Sequence, residues 1–486
     1  MRLDPSLTAR RGFFFRTALP LGAALALSAC AGIPDSKPHA VLLEAPSLGL
    51  STQAGTMATL QDQWWRQFGD AQLDRLIDSA LASNPSLKVA QARLARAQAG
   101  ADITDAASAP QLGVGVDATR QQFTATGLYP PPLAGGIYET GTAQFSGSWE
   151  LDFFGKNRAA LELALGVTRA VRADAEAART LLASNVARAY FQLIRLNDQV
   201  QVAQRVLTQR THMLDLVRQR VDAGLDTSLE LRQSEGSLPD ARLQIEILQE
   251  QLTLGRNALA ALIGQTSSSL VIDIPASAAI KPMAAATNVP SDLLGRRADI
   301  AAARWRVEAA TQDVDVARAQ FYPNINLVAF AGYSSIGLDR LFDAGSQQWG
   351  VGPALRLPLF DGGRLRANLR GKVAELDGAI ESYNAAVLDA VREVADQLAS
   401  GQALGRQQQS QRQAQASAES AYGIAVQRYD AGLGNLLQVL GAETAVLNQR
   451  RQGVDLAARA LDNQVALMRA LGGGYQAELP AVTVQK

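Results

Sequence analysis

The sequence predicts an α+β chain built as an internal tandem duplication, and three observations carry that reading. The segment Arg220-Val221-Asp222-Ala223-Gly224-Leu225 returns 208 residues later as Arg428-Tyr429-Asp430-Ala431-Gly432-Leu433. Each copy sits in a proline-free run, from Pro132 to Pro239 and from Pro358 to Pro480, so each half has room for helices far longer than the average of about 11–12 residues. Stretches with the two-residue alternation of strands precede each long run. Each half therefore reads helix, strand, loop, strand, long helix, turn, long helix.

The first thirty residues read as an address. Arg10, Arg11 and Arg16 form a positive region, Leu19 to Leu27 an apolar one, and Leu27-Ser28-Ala29-Cys30 closes with small residues and the single cysteine of the chain. This predicts a cleaved signal over 1–29. The pattern resembles the lipobox of a bacterial lipoprotein, which implies a covalent lipid on Cys30; three acyl chains exceed the two signals that stable anchoring needs. Ala31 in place of an aspartate points to the outer membrane by the enterobacterial sorting rule. The alternative is an ordinary secretion signal with a free thiol.

The rest divides into a lipidated linker over 30–60, a first repeat over 61–265, a link over 266–289, a second repeat over 290–473 and a tail over 474–486. After the signal no run of eighteen apolar residues exists, so a membrane crossing would have to be made by strands. With 46 basic and 46 acidic residues the net charge is zero, which argues against a nucleic-acid partner.

The strands are expected at about 110–121 and 140–153 in the first repeat, and at about 323–333 and 347–358 in the second. Phe145, Gly147, Trp149 and Leu151 alternate with Gln144, Ser146, Ser148, Glu150 and Asp152; Leu112, Val114, Val116 and Ala118 alternate with Gly113, Gly115, Asp117 and Thr119. Each stretch has one apolar and one wet face and roughly the 9–11 residues that cross a bilayer when tilted. The run from Asn324 to Tyr333 is less regular. Four strands cannot close a barrel, and an open edge in lipid leaves backbone groups unpaired at several kcal/mol each, roughly. Closure would need other copies of the chain; the alternative is a small soluble sheet capping a helical bundle.

Long helices are expected at about 156–221, 227–263, 364–430 and 435–471. Between Lys156 and Val221 only Gly166 interrupts an Ala-, Arg-, Leu- and Gln-rich run, which at ~1.5 Å per residue is about 100 Å long. Its apolar positions do not keep the two-per-heptad seam of a coiled coil. Pro239 falls in the returning helix of the first half and is expected to kink or divide it; no proline interrupts the run from Asn435 to Leu471, so the two hairpins are expected to differ.

Several motifs in order, Trp64-Trp65-Arg66-Gln67-Phe68-Gly69-Asp70-Ala71-Gln72-Leu73, Pro290-Ser291-Asp292-Leu293-Leu294-Gly295-Arg296-Arg297-Ala298-Asp299-Ile300, Phe321-Tyr322-Pro323 and the two Asp-Ala-Gly-Leu turns, resemble the TolC-like outer-membrane efflux factors. The closest branch is that of the NodT-type lipoproteins serving resistance-nodulation-division pumps, and the resemblance covers 60–473. It implies a homotrimer in which three sets of four strands close a twelve-stranded transmembrane β-barrel in outer-membrane lipid, continued by a long periplasmic α-helical barrel. The link over 266–289 becomes part of an equatorial belt.

The resemblance further implies an exit duct that passively carries cargo from an inner-membrane pump and its periplasmic adaptor, with a gate at the turns between long helices. Carried over by position, Leu437 matches an apolar gate residue, while the acidic gate position falls on Gly441, a departure. Glu230 and Glu443 are the acids near the tip, with Glu230 and Leu437 expected at the constriction and Tyr429 as a contact holding the closed turn. Gly224 and Gly432 are expected to serve the turns, and with Leu225 and Leu433 to meet the adaptor. A solvated helix face for the two acids and plain packing for Tyr429 are the simpler alternatives.

Nothing in the chain points to catalysis. His39, His212 and one cysteine offer no zinc or cysteine–histidine constellation, and there is no Gly-x-Ser-x-Gly elbow. No cofactor is expected apart from the lipid. A type I secretion duct and a helical scaffold lipoprotein without a pore are the alternative functions; an enzyme using carboxylates such as Glu150 and Asp152 is the weakest.

Overall fold

The computed structural model describes residues 37–43, 62–283 and 293–476. Cys30, the signal over 1–29, most of the 30–60 linker and the last ten residues lie outside them. A short 3-10 turn at Trp64–Phe68 leads to α1 (Ala71–Ser83) and α2 (Pro85–Ser108), then β1 (Gln111–Gln122), β2 (Ile137–Leu151), α3 (Lys156–Asp222) and α4 (Ser228–Leu262). After one helical turn at Leu293–Arg296 the second repeat gives α5 (Ala298–Ala319), β3 (Asn324–Ile336), β4 (Gln347–Arg356), α6 (Arg364–Asp430) and α7 (Leu436–Ala470). Among the described residues no helix is long and apolar enough to cross a membrane.

The two hairpins are matched residue for residue. Helices α3 and α6 each have 67 residues, α4 and α7 each have 35, and both pairs stand 208 apart. Pro239 therefore does not divide α4, which runs unbroken from Ser228 to Leu262. The ring sits on an exposed face of the helix, where water can serve the carbonyl that loses its donor. The expected difference between hairpins lies in their glue. Ala203 on α3 and Ala241 and Ile245 on α4 are buried, whereas their counterparts are Gln411, Gln449 and Gly453. Gln411 Nε2 donates to Gln449 O at 2.7 Å and to Gln415 Oε1 at 2.9 Å, beside a cavity of about 560 Å³ lined also by Arg406, Ser410 and Arg459.

The described residues form two compact units, one of 37–42, 95–170 and 303–383 and one of 43, 62–94, 171–283, 293–302 and 384–476. The first holds the sheet, an antiparallel meander in the order β1-β2-β3-β4. Its register places Val114 opposite Phe145, Phe145 opposite Ala331 and Ala331 opposite Trp349. Since alternate residues share a face, one face carries Leu112, Val114, Val116, Phe145, Trp149, Leu327, Trp349, Val351 and Leu355, and the other Asp117, Gln144, Ser146, Ser148, Asn326 and Gln348. Among the described residues the apolar face is left largely bare: Leu112, Val114, Val116, Trp349, Val351 and Leu355 are each at least 66 % exposed. The irregularity of β3 is also explained, because Val328 and Phe330 fall on the wet face, where the Phe330 ring lies against Gly350 in the manner of an aromatic covering a strand glycine.

The second unit holds the largest described core. Trp64, Phe68, Leu73 and Ile77 pack with Tyr190, Phe191, Leu193, Ile194, Leu259, Val465 and Leu467, each such side chain contributing roughly 1.5–3 kcal/mol on burial. Asp70 starts α1, its Oδ1 accepting from Gln72 N and Leu73 N, and its Oδ2 accepts from the Tyr190 hydroxyl at 2.7 Å. Burial, then that bond, pushes the Tyr190 phenol far above its ordinary range. Arg297, from the motif that opens the second repeat, donates to both Asp299 oxygens, to Glu393 Oε2 at 2.9 Å and to Ala470 O at 3.1 Å. One guanidinium thus ties the start of α5 to α6 and the end of α7.

The two faces of the sheet give opposite expectations for an introduced charge. Val351→Lys on the apolar face is expected to cost assembly about 2–4 kcal/mol, while Ser146→Lys on the wet face is tolerated. The yield of folded oligomer in outer-membrane fractions measures the difference, and equal yields would mean that the apolar face does not meet lipid.

Candidate functional site

The duplicated turns form the site. Each long helix ends at a glycine, Gly224 or Gly432, both at φ 73° and both with open space where a Cβ would stand. Conformation, not crowding, selects glycine there. Leu225 N donates to Arg220 O at 2.8 Å and Leu433 N to Arg428 O at 2.7 Å, closing the two turns alike. The returning helices start differently. Thr227 and Glu230 form a capping box for α4, with Thr227 N donating to Glu230 Oε2 at 3.0 Å, whereas Asn435 Oδ1 caps α7 by accepting from Gln438 N at 3.0 Å.

Tyr429 is fully buried, in an apolar cluster with Met213, Val217, Leu436 and Val439. Its hydroxyl donates to Asp226 Oδ2. Arg220 completes the group: its Nε donates to Asp226 Oδ2 at 3.0 Å, its Nη1 to Tyr429 O at 2.9 Å, and its guanidinium lies 4.5 Å from the Tyr429 ring centre. The Arg220 and Asp226 side chains are only 11 % and 10 % exposed. Burial disfavours the Asp226 charge, but the bonds from Arg220 and Tyr429 outweigh it and hold the carboxyl below its ordinary range. Burial and the bond to Asp226 push the phenol far up. The first turn is thereby fastened to the last residues of α6.

Of the two described turns, only the first has this fastening. The counterpart of Asp226 is Gly434 and that of Tyr429 is Val221, so Arg428 has no matching carboxylate and donates instead to Leu433 O at 3.2 Å.

The acids are placed differently from the expectation. The Glu230 carboxylate is occupied by the capping box, whose Thr227 hydrogen bond keeps it below the usual carboxylate range. Glu443 is buried rather than set at an aperture, with both carboxylate oxygens 3.3 Å from Arg210 Nε. Arg210 Nη1 also donates to Ser237 O at 2.9 Å, so this pair joins α3, α4 and α7. A buried charge with its partner in place has little left for a passing cation. Gly441 stands exposed, with nothing in front of it.

Leu437 is 71 % exposed and Leu433 70 %, and in the first hairpin Leu225 and Leu229 are 65 % and 61 % exposed. Sequence reasoning missed Leu229, although it stands 208 residues before Leu437, and missed Arg220, Asp226 and Arg210. The repeat register could have found Leu229 and the replacement of Asp226 by Gly434; the burial of Arg210 with Glu443 had no sequence signal. Among the described residues no cluster of His, Cys, Asp or Glu is arranged to hold a metal.

The family model described as outer membrane efflux protein matches residues 76–265 and 289–473. The multidrug resistance outer membrane protein MdtQ of Escherichia coli O6:H1 is 34% identical over 467 residues, covering 93% of this chain and 96% of that protein. MdtP of Escherichia coli K12, another multidrug resistance outer membrane protein, is 33% identical over 474 residues, with 94% and 96% covered. Among solved structures, the outer membrane protein VceC of Vibrio cholerae superposes with a TM-score of 0.79 at 38% identity, over 85% of this chain and 99% of its own. The open state of the MtrE outer membrane channel of Neisseria gonorrhoeae superposes with a TM-score of 0.77 at 26% identity, over 91% and 98%.

Removing Asp226 leaves Arg220 buried and unpaired, so Asp226→Ala is expected to destabilise the tip by about 3 kcal/mol, and Tyr429→Phe by about 1.5 kcal/mol. Proteolysis at the turns should accelerate in that order. Because the folded-state pKa of Asp226 is lowered, its contribution is complete above the unfolded value of about 4 and disappears as the pH falls through the lower folded value. Tip proteolysis by an acid-active protease should therefore rise below pH 4 in the native protein but not in Asp226→Ala; the same acid response in both would remove Asp226 from the fastening.

Proposed function

The chain belongs to the outer membrane efflux protein family, and on that premise we propose that it is the outer-membrane duct of a tripartite export assembly. An inner-membrane pump of the resistance-nodulation-division type and a periplasmic adaptor would supply energy and cargo, and this protein would conduct passively. We assign it no catalysis and no cofactor. That relatives are named multidrug resistance outer membrane proteins favours small-molecule cargo.

The observation that carries the reading is the two-faced sheet with open edges. A four-stranded meander whose apolar face is bare and whose β1 and β4 have no outer neighbour among the described residues satisfies its backbone in lipid only by closure with other copies. Three copies give twelve strands, within the range of outer-membrane barrels. The wet face, with Gln144, Ser146, Ser148 and Gln348, then lines the passage. Cys30 carries the lipid that anchors the chain to the outer membrane, and the helices extend into the periplasm.

The turns act as the gate in this proposal. Tyr429, held by Asp226 and Arg220, keeps the first turn fastened, and the exposed Leu437 and Leu229 narrow the opening. Glu230 contributes a fixed negative charge at the rim, and Glu443 supports the wall through Arg210. Leu225 and Leu433, presented by Gly224 and Gly432, are the surface offered to the adaptor.

Purified protein reconstituted in planar bilayers tests this. Discrete conductance steps from a species of trimer mass are expected, larger for Tyr429→Phe and for Leu437→Ala than for the native protein. A monomer that leaves the bilayer silent would sink the duct and return the chain to the scaffold alternative.

A further inference from the structure

The two hairpins, equal in length and offset by 208 residues throughout, serve as controls for one another. In the first, Val202, Ala203 and Val206 on α3 and Ala241 and Ile245 on α4 are buried. The corresponding residues of the second are Ser410, Gln411 and Ala414 on α6 and Gln449 and Gly453 on α7. Ala414 and Gly453 are smaller than the Val and Ile they match, and hydroxyl and amide groups replace methyl groups at the other three positions. The second hairpin has a cavity there of about 560 Å³, within the range of roughly 300–1,000 Å³ that small-molecule sites occupy.

The wall of this cavity is partly fixed and partly unanswered. Gln411, only 8 % exposed, is held through Nε2 by Gln449 O and Gln415 Oε1, and Gln415 Nε2 in turn donates to Glu419 Oε1 at 3.1 Å. Gln449 Oε1 is buried and has no donor, an acceptor left without the proton it requires. Asp455 is the one acid among the described lining residues, and its Oδ1 already accepts from Arg195 Nη1 at 2.9 Å and from Gln199 Nε2 at 2.8 Å. Arg406 and Arg459 also line the cavity, and among the described residues neither has an acidic or hydrogen-bonding partner. They stand at the same end. Gln408 Nε2 donates to Leu456 O at 3.3 Å, and from that bond Arg406 lies two residues back along α6 and Arg459 three residues on along the returning α7.

Two guanidinium groups without a counter-charge and an acceptor without a donor suit an anion that still carries a hydroxyl. Guanidinium forks match phosphate oxygens through paired N–H donors. Phosphate, whose second ionisation lies near pH 6, roughly, keeps one O–H at neutral pH, whereas sulfate has the same shape and charge and no such proton. We propose that the cavity lined by α6 and α7 is a binding site for a phosphate group, free or as a small ester, with Arg406 and Arg459 taking its charge and Gln449 accepting from a hydroxyl. Bound phosphate joins the two helices at the level where the first hairpin buries apolar side chains.

Hydrogen exchange of the full-length protein in detergent, titrated with inorganic phosphate at constant ionic strength, tests the site without recourse to conductance. With phosphate at about ten times its Kd, peptides covering 403–414 and 449–459 should exchange about tenfold more slowly than in chloride, the factor expected for a ligand held only by the closed form. The matching stretches 195–206 and 241–251 should not respond. Arg406→Ala with Arg459→Ala should abolish the slowing. So should Ser410→Val, Gln411→Ala, Gln449→Ala and Gly453→Ile together, which give the second hairpin the side chains of the first. Glycerol 3-phosphate separates the two sources: slowing by both compounds assigns the site to phosphate esters as well as the ion, and slowing by inorganic phosphate alone assigns it to the ion. Equal slowing by sulfate, slowing that survives both sets of substitutions, or a titration that slows nothing in the native protein overturns the site.

Discussion

The outer edges of β1 and β4 carry backbone N–H and C=O groups that no described strand pairs, and much of the protein follows from how they must be satisfied. In water such an edge is tolerable. Beside an apolar face as bare as that of Val114, Phe145, Trp349 and Val351, the surrounding medium has nothing to offer them, and each orphan would cost several kcal/mol, roughly. A meander of four strands with a uniform face can meet that demand only in a closed ring of copies. The same alternation that makes one face suit lipid leaves the other with Gln, Ser, Gly and Asp, which suits a water-filled interior.

Duplication supplies the helical part cheaply, since one hairpin design used twice gives two walls of equal length. The helices of both hairpins keep one offset from end to end, so every difference between them can be assigned to a side chain. The first hairpin buries Ala203, Ala241 and Ile245, whereas the second carries Gln411 and Gln449 at a cavity, with Gly453 beside Gln411. Apolar packing of the first kind resists sliding because each contact is lost on displacement. The second hairpin instead uses hydrogen bonds, Gln411 Nε2 donating to Gln449 O and Gln415 Oε1, each of modest net worth.

The tips show the same economy. Identical Asp-Ala-Gly-Leu turns differ in that Asp226 meets Tyr429 and Arg220, while Gly434 and Val221 offer nothing in return. A fastening made of one buried carboxylate, one phenol and one guanidinium is strong while all three are present and weak once any is removed, because the remaining charge is left without compensation. The residues that hold the tip are thus separate from the exposed leucines that shape it.

The sequence by itself determined the duplication, the strands, the long helices and the two glycine turns, because these depend on local periodicity and on backbone conformations that only certain residues adopt. The family resemblance, rather than any local pattern, singled out Leu437 for the constriction and Tyr429 as a contact of the closed turn; the structure adds that Leu437 is exposed and Tyr429 buried. What the sequence could not decide was which polar groups meet across elements. Pro239 suggested a broken helix, but the ring falls on an exposed face and α4 continues. Glu443 read as an acid available at the tip, yet Arg210, 233 residues away, takes its charge inside the helix packing. The lock of Arg220 and Asp226 on Tyr429, and the reach of the Arg297 guanidinium to Glu393 and Ala470, rest on long-range pairings. Such pairings are settled by the geometry of packed elements, and no local pattern encodes them.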